Sequence, residues 1–85
     1  MATQRLSRLQ KRIMRLLLAE HHRTRGGTTM GHVELVKALG GDKSNISHSL
    51  RTLEARRMIV IGRTPGGQAD SLYLTPEGLK KASEI

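Results

Sequence analysis

Apolar positions along this chain follow a helical period first and a strand period later. From Leu6 onward, Leu9, Ile13, Leu16, Leu17 and Glu20 recur at three- and four-residue spacing, so the apolar members form one stripe of an amphipathic helix over about residues 4–22. Arg5, Arg8, Arg12 and Arg15 share a flank of that stripe. Met14 and Leu18, one turn apart, form a second apolar patch without an evident partner in the chain. The helix is expected to end within residues 23–27, where Gly26 and Gly27 remove helical preference. Thr28 or Thr29 then caps a short second helix with Val33, Leu35, Val36 and Leu39 on its buried side, stopped by Gly40 and Gly41. Asp42 offers a side-chain acceptor to the start of a third helix, in which Ile46, Leu50 and Leu53 follow i, i+4, i+7 spacing to about Arg56.

Beyond Arg57 the period shortens. Met58–Ile61 and Ser71–Leu74 are short strand-forming runs, and the Pro- and Gly-rich stretch 64–68 between them predicts a hairpin with an exposed tip. Thr75 followed by Pro76 is the signature of an N-cap with proline at the first helical position, which starts a last helix running to about Ser83. Two short helices joined by a tight glycine turn outline a helix-turn-helix. The expected fold class is α+β, a single domain over residues 1–85. With one aromatic residue, Tyr73, its core must come from Leu, Ile, Val, Met and Ala.

Charge changes the picture more than composition does. Fifteen Lys and Arg against seven Asp and Glu leave a formal charge of +8, which points to a polyanionic partner. Seven of those bases fall in residues 1–25 against the single acid Glu20. On the third helix, burying Ile46, Leu50 and Leu53 turns Ser44, His48, Arg51 and Ala55 outward, with Asn45 and Thr52 alongside. Short hydrogen-bonding side chains near the N-terminus of such a helix suit the major groove of double-stranded DNA. The candidate reading set is Lys43, Ser44, Asn45, Ser47, His48, Arg51 and Thr52. At the hairpin, Arg63, Thr64 and Gln68 are candidates for a flanking minor groove or phosphate, and Arg5, Arg8, Arg12 and Arg15 for backbone phosphates. Met14 and Leu18, with Leu79 and Ile85 of the last helix, are the expected dimer contacts.

Other chemistries find little support. The chain has no cysteine, hence no disulfide or thiolate metal site, and its expected location is cytoplasmic. Its longest apolar run, residues 16–19, is far below the ~20 residues of a membrane span, and basic residues interrupt the place a signal peptide would need. His21, His22, His32 and His48 lack metal-ligand spacing, so neither metal nor cofactor is expected. No nucleophile motif or phosphate-cradling loop marks an enzyme.

The order of elements, together with Glu34–Gly40, Asp42–Ser47, Leu50–Glu54 followed by Met58-Ile59, and Leu72–Gly78, resembles the winged helix-turn-helix domains of MarR-type and ArsR-type transcription regulators over about residues 6–80. The resemblance implies a three-helix core, a two-stranded β-hairpin wing and a short C-terminal helix. It further implies a sequence-specific double-stranded DNA-binding regulator acting as a homodimer. Arg57 stands where these families usually carry Gly, and Gly66-Gly67-Gln68 replaces their Asp-x-Arg at the wing, which leaves Arg63 as the nearest wing arginine. The flanking helices that form an effector pocket are missing, so no small-molecule effector is implied. A Z-form nucleic-acid binder would carry a Trp in its wing, and this chain has none. The alternatives are a protein-interaction or assembly module, and a DNA-binding accessory factor in replication, partition or excision.

Overall fold

Ser7 starts the first helix by a reciprocal exchange. Its hydroxyl accepts from the Gln10 backbone N–H at 3.1 Å while Gln10 Oε1 accepts from the Ser7 N–H at 2.8 Å, a capping box that sets the start at Arg8. The computed structural model describes residues 6–25, 30–67 and 69–85. Helix α1 spans Arg8–Thr24, and Arg25 closes it in the left-handed region at φ 54°, its N–H bonded to the His21 carbonyl. An arginine therefore takes the position expected of a glycine. Gly26, Gly27, Thr28 and Thr29 lie outside the described residues, as do Arg5 and Gln68.

The buried face of α1 is Gln10, Ile13, Met14 and Leu17, while Leu9, Leu16 and Leu18 are half-buried flanks packed against the core. Met14 is fully buried. Its expected role as an exposed dimer contact is therefore wrong: the inward stripe lies a fraction of a turn away from the one chosen by leucine content alone. Leu18, Leu79 and Ile85 are half-buried.

Helix α2, His32–Leu39, is capped by Gly31, whose N–H donates to the Glu34 carboxylate at 3.1 Å. A Cβ on Gly31 would come within 2.9 Å of the Asp70 carbonyl oxygen, so the residue is fixed by close backbone approach. Leu35 is buried, Val36 and Leu39 are partly so, but Val33 is 61% exposed, contrary to expectation. Gly40 ends the helix at φ 65°, with its N–H bonded to the Val36 carbonyl at 2.8 Å. Two residues on, Asp42 accepts from Ser44 N–H at 2.7 Å and Asn45 N–H at 3.4 Å to start helix α3, Lys43–Ala55.

Helix α3 ends in two reverse-turn bonds, Met58 N–H to the Leu53 carbonyl and Arg57 N–H to the Glu54 carbonyl, both 3.0 Å, with Arg57 at φ 60°. This is the pattern usually closed by glycine. Strands β1, Ile59–Arg63, and β2, Ala69–Leu74, pair antiparallel in the register Ile59↔Leu74, Val60↔Tyr73, Ile61↔Leu72, with a shift between Gly62 and Arg63. Ile59, Ile61 and Leu72 face the core, whereas the cross-strand pair Val60 and Tyr73 stays 53% and 39% exposed. Leu72 also donates its N–H to the Met30 carbonyl at 3.0 Å, tying the segment before α2 to β2.

Helix α4, Pro76–Glu84, starts on Thr75, whose hydroxyl accepts from Gly78 N–H at 2.9 Å and donates to the Arg57 carbonyl at 2.6 Å. It packs on α1 and β2. Three helices and the hairpin thus share a core centred on Ile13, Met14, Leu35, Ile46, Leu53 and Leu72.

Candidate DNA-binding surface

The outer face of α3 is built from behind. Ile46, Ser49, Leu50 and Leu53 are buried, which turns Lys43, Ser44, Asn45, His48 and Arg51 to the exterior, all of them exposed. The remaining two members of the predicted set are engaged. Thr52 donates its hydroxyl to the His48 carbonyl at 3.1 Å. Ser47 is half-buried, with its Oγ 2.9 Å from His32 Nε2. His32 was missed in the sequence, where it reads as one of four unconnected histidines. Its place at the first turn of α2 lets it brace α3 across the turn. The signal for it was a polar residue where α2 must cross the next helix.

The turn end of the hairpin approaches the same face. Arg51 of α3, Arg63 of β1 and the backbone at Gly67 line one cleft with Ser47 and His32. Arg63 forms a two-pronged ion pair with Glu54 of α3, Nη1 to Oε2 at 3.0 Å and Nη2 to Oε1 at 3.1 Å. The hydrogen bonds from Arg63, more than its charge at a distance, hold the Glu54 carboxyl below the usual carboxylate range, and the Arg63 guanidinium is raised in turn. Glu54 is the partner that sequence reading left out. Thr64 is half-buried at the turn, where its carbonyl accepts from Gly67 N–H at 2.8 Å.

The basic flank of α1 forms a separate group. Arg8, Arg12 and Arg15 are exposed, and Arg12 donates to the Leu39 carbonyl at 3.3 Å, which places its guanidinium at the C-terminal end of α2. Arg12 and Arg15 rim a groove floored by Leu16, Ala19, Ala38 and Leu39. Arg23, farther along, is paired with Glu20 at 2.7 Å. His21 and His22 meet edge to face with ring centroids 5.7 Å apart, and among the described residues no group of three or more His, Cys, Asp or Glu is placed to hold a metal. Among these residues too, no helix is long and apolar enough to cross a membrane.

Helix, turn, second helix and flanking hairpin over one core decide the architecture. The fold is a winged helix-turn-helix. No family model matches the chain, and no curated protein does. Solved structures with the same architecture do. A protein of Ralstonia eutropha JMP134, provisionally assigned to DNA binding, superposes with a TM-score of 0.80 at 18% identity, covering 94% of this chain and 96% of that one. MepR of Staphylococcus aureus in its complex with DNA superposes at 0.76 with 20% identity, covering 94% of this chain and 55% of MepR. Lactococcus lactis ZitR, in a doubly substituted form, gives 0.73 at 17% identity over 95% of this chain and 51% of ZitR. The chain spans about half the length of MepR and ZitR. At these identities the likeness is one of fold, and it agrees with the resemblance to MarR-type domains carried by the sequence motifs.

Proposed function

We propose that this winged helix-turn-helix regulates transcription, binds double-stranded DNA as a homodimer and catalyses no reaction. The observation that carries the reading is the exposed row Ser44, Asn45, His48 and Arg51 on α3, held outward by the buried Ile46, Leu50 and Leu53. The row supplies donors and acceptors with little bulk, as base edges in a major groove require. The +8 charge adds the sequence-independent attraction. MepR, solved with DNA bound, supports the same use of the fold. In this reading Arg63 and Thr64 flank the groove at the wing, and Arg8, Arg12 and Arg15 meet phosphates beside it. Leu18 on α1, Leu79 on α4 and Ile85 just past its end, all half-buried, are the dimer surface that remains once Met14 is placed inside. A second copy would also give the protein the buried area that a single small module lacks.

Titration of a fluorescent duplex across a range of salt tests the reading. The logarithm of the binding constant is expected to fall linearly with the logarithm of salt, by about 0.9 for each phosphate neutralised. A flat line removes DNA as the ligand and favours the assembly-module reading, for which the exposed Val60 and Tyr73 pair is the supporting surface. Sedimentation over a wide concentration range tests the dimer, which an unvarying monomer would rule out.

A further inference from the structure

Helix α3 carries one acidic residue, Glu54, and its carboxylate is spent on the wing arginine that stands closest to the reading face. Resting on the DNA-binding reading above, we propose that Glu54 is an intramolecular competitor of DNA phosphate for Arg63. Three observations support it. A two-pronged arginine–carboxylate contact has the same geometry as a two-pronged arginine–phosphate contact, so one can replace the other without moving the guanidinium far. The pair is open to solvent, with side chains 44% and 36% exposed, so a phosphate can reach it and water already screens it. Arg63 lines the same cleft as Arg51, so an anion entering there lies beside two arginines, and two-pronged capture by Arg63 requires its guanidinium to leave Glu54.

The consequence is a brake on indiscriminate binding. Any DNA that engages Arg63 must displace Glu54 and leave a carboxylate near the backbone, a penalty independent of base sequence. Only sites that repay it through the bases of the α3 row are held well. Glu54 is in this sense a positioning residue that holds Arg63 back until DNA arrives, and it touches no base itself.

The test uses a random-sequence duplex, with binding followed by fluorescence anisotropy over a salt series, for wild type, Glu54→Gln, Arg63→Gln and the double variant. Glu77→Gln serves as the charge-matched control, because Glu77 is an exposed acid lining the neighbouring groove that Glu54 also borders. Glu54→Gln is expected to tighten binding roughly two- to fivefold, the scale of one solvent-exposed ion pair, and to steepen the salt slope by about 0.9. In the Arg63→Gln background the same change is expected to do no more than Glu77→Gln does. Weaker binding by Glu54→Gln identifies the pair as a strut for the wing and overturns the proposal. So does an equal gain in the Arg63→Gln background, which would be general repulsion of DNA by an acid. No binding by the wild type at low salt overturns the DNA-binding reading itself, a result distinct from either.

Discussion

At Gly78 two opposing effects of a single methyl group can be ranked. Alanine is the better helix former by up to about 1 kcal/mol, which alone would stabilise α4. A Cβ at this buried position, however, would overlap the Met58 carbonyl oxygen, and that oxygen already accepts from Thr75 N–H at 3.1 Å. Backbone on both sides of the contact cannot swing away as a flexible side chain would. Gly78→Ala is therefore expected to lower stability by about 1–3 kcal/mol, read as a shift of the urea midpoint. A neutral or stabilising result would mean that α4 can lift from the strand root without penalty. Residue-scale facts of this kind were only partly legible in the sequence. Asp42 and the Thr75-Pro76 pair announced their caps through chemistry local to them. Met14 and Gln10 did not, because leucines at 9 and 16 outline a competing stripe and a glutamine at the centre of the true one reads as surface. Its side-chain oxygen is satisfied by the Ser7 backbone N–H in the capping box, a bond that spacing alone cannot reveal.

At the scale of elements, the ends of helices decide how α3 and the wing are set against each other. The link from α3 to β1 turns on Arg57 at φ 60°, a region that disfavours any residue with a Cβ by about 1–2 kcal/mol. Glycine would relieve that strain but also loosen the unfolded chain by about 0.5–1 kcal/mol, so Arg57→Gly is expected to stabilise the fold by about 0.5–1 kcal/mol. Thermal unfolding checks the sign, and a loss of stability would show that the arginine side chain does more for the folded state than its backbone strain takes away. Glu54, just before this junction, pairs with Arg63 at the far end of β1. Because the folded Glu54 carboxyl lies below its unfolded value, the tie contributes at every pH above the ordinary carboxylate range and is lost only as pH falls through the depressed value. The binding difference between wild type and Glu54→Gln is thus expected to stay constant across neutral pH, read as anisotropy titrations at several pH values. Four helices and two strands were legible from period and punctuation, because hydrophobic spacing and Gly, Pro or Asp signals act within a few residues. The bond from Leu72 to Met30, the approach of Gly31 to Asp70 and the brace between His32 and Ser47 were not. Each joins parts of the chain whose meeting depends on the finished fold.

For the molecule as a whole, the proposed DNA binding poses the question of which charged surface would read sequence and which would merely hold DNA. The structure separates the two candidates: Arg51 stands on the outer row of α3 beside Ser44 and His48, while Arg12 is drawn to the Leu39 carbonyl and borders, with Arg15, a groove between α1 and α2. A base contact distinguishes sequences and a phosphate contact does not, so the two roles differ in a ratio of affinities even where they agree in magnitude. With a duplex selected from a random library by the protein itself and a scrambled version of it, both at one fixed salt concentration, Arg51→Ala is expected to lose about 1–3 kcal/mol on the selected duplex and much less on the scrambled one. Arg8→Ala and Arg12→Ala are expected to weaken both duplexes alike and to flatten the salt slope by about 0.9 for each phosphate contact removed. Fixing the salt keeps the electrostatic term equal in every comparison, so any change in the ratio belongs to base recognition. If Arg51→Ala, His48→Ala and Asn45→Ala all leave the ratio unchanged, α3 does not read the bases, and specificity must lie in the wing or in how readily the DNA deforms.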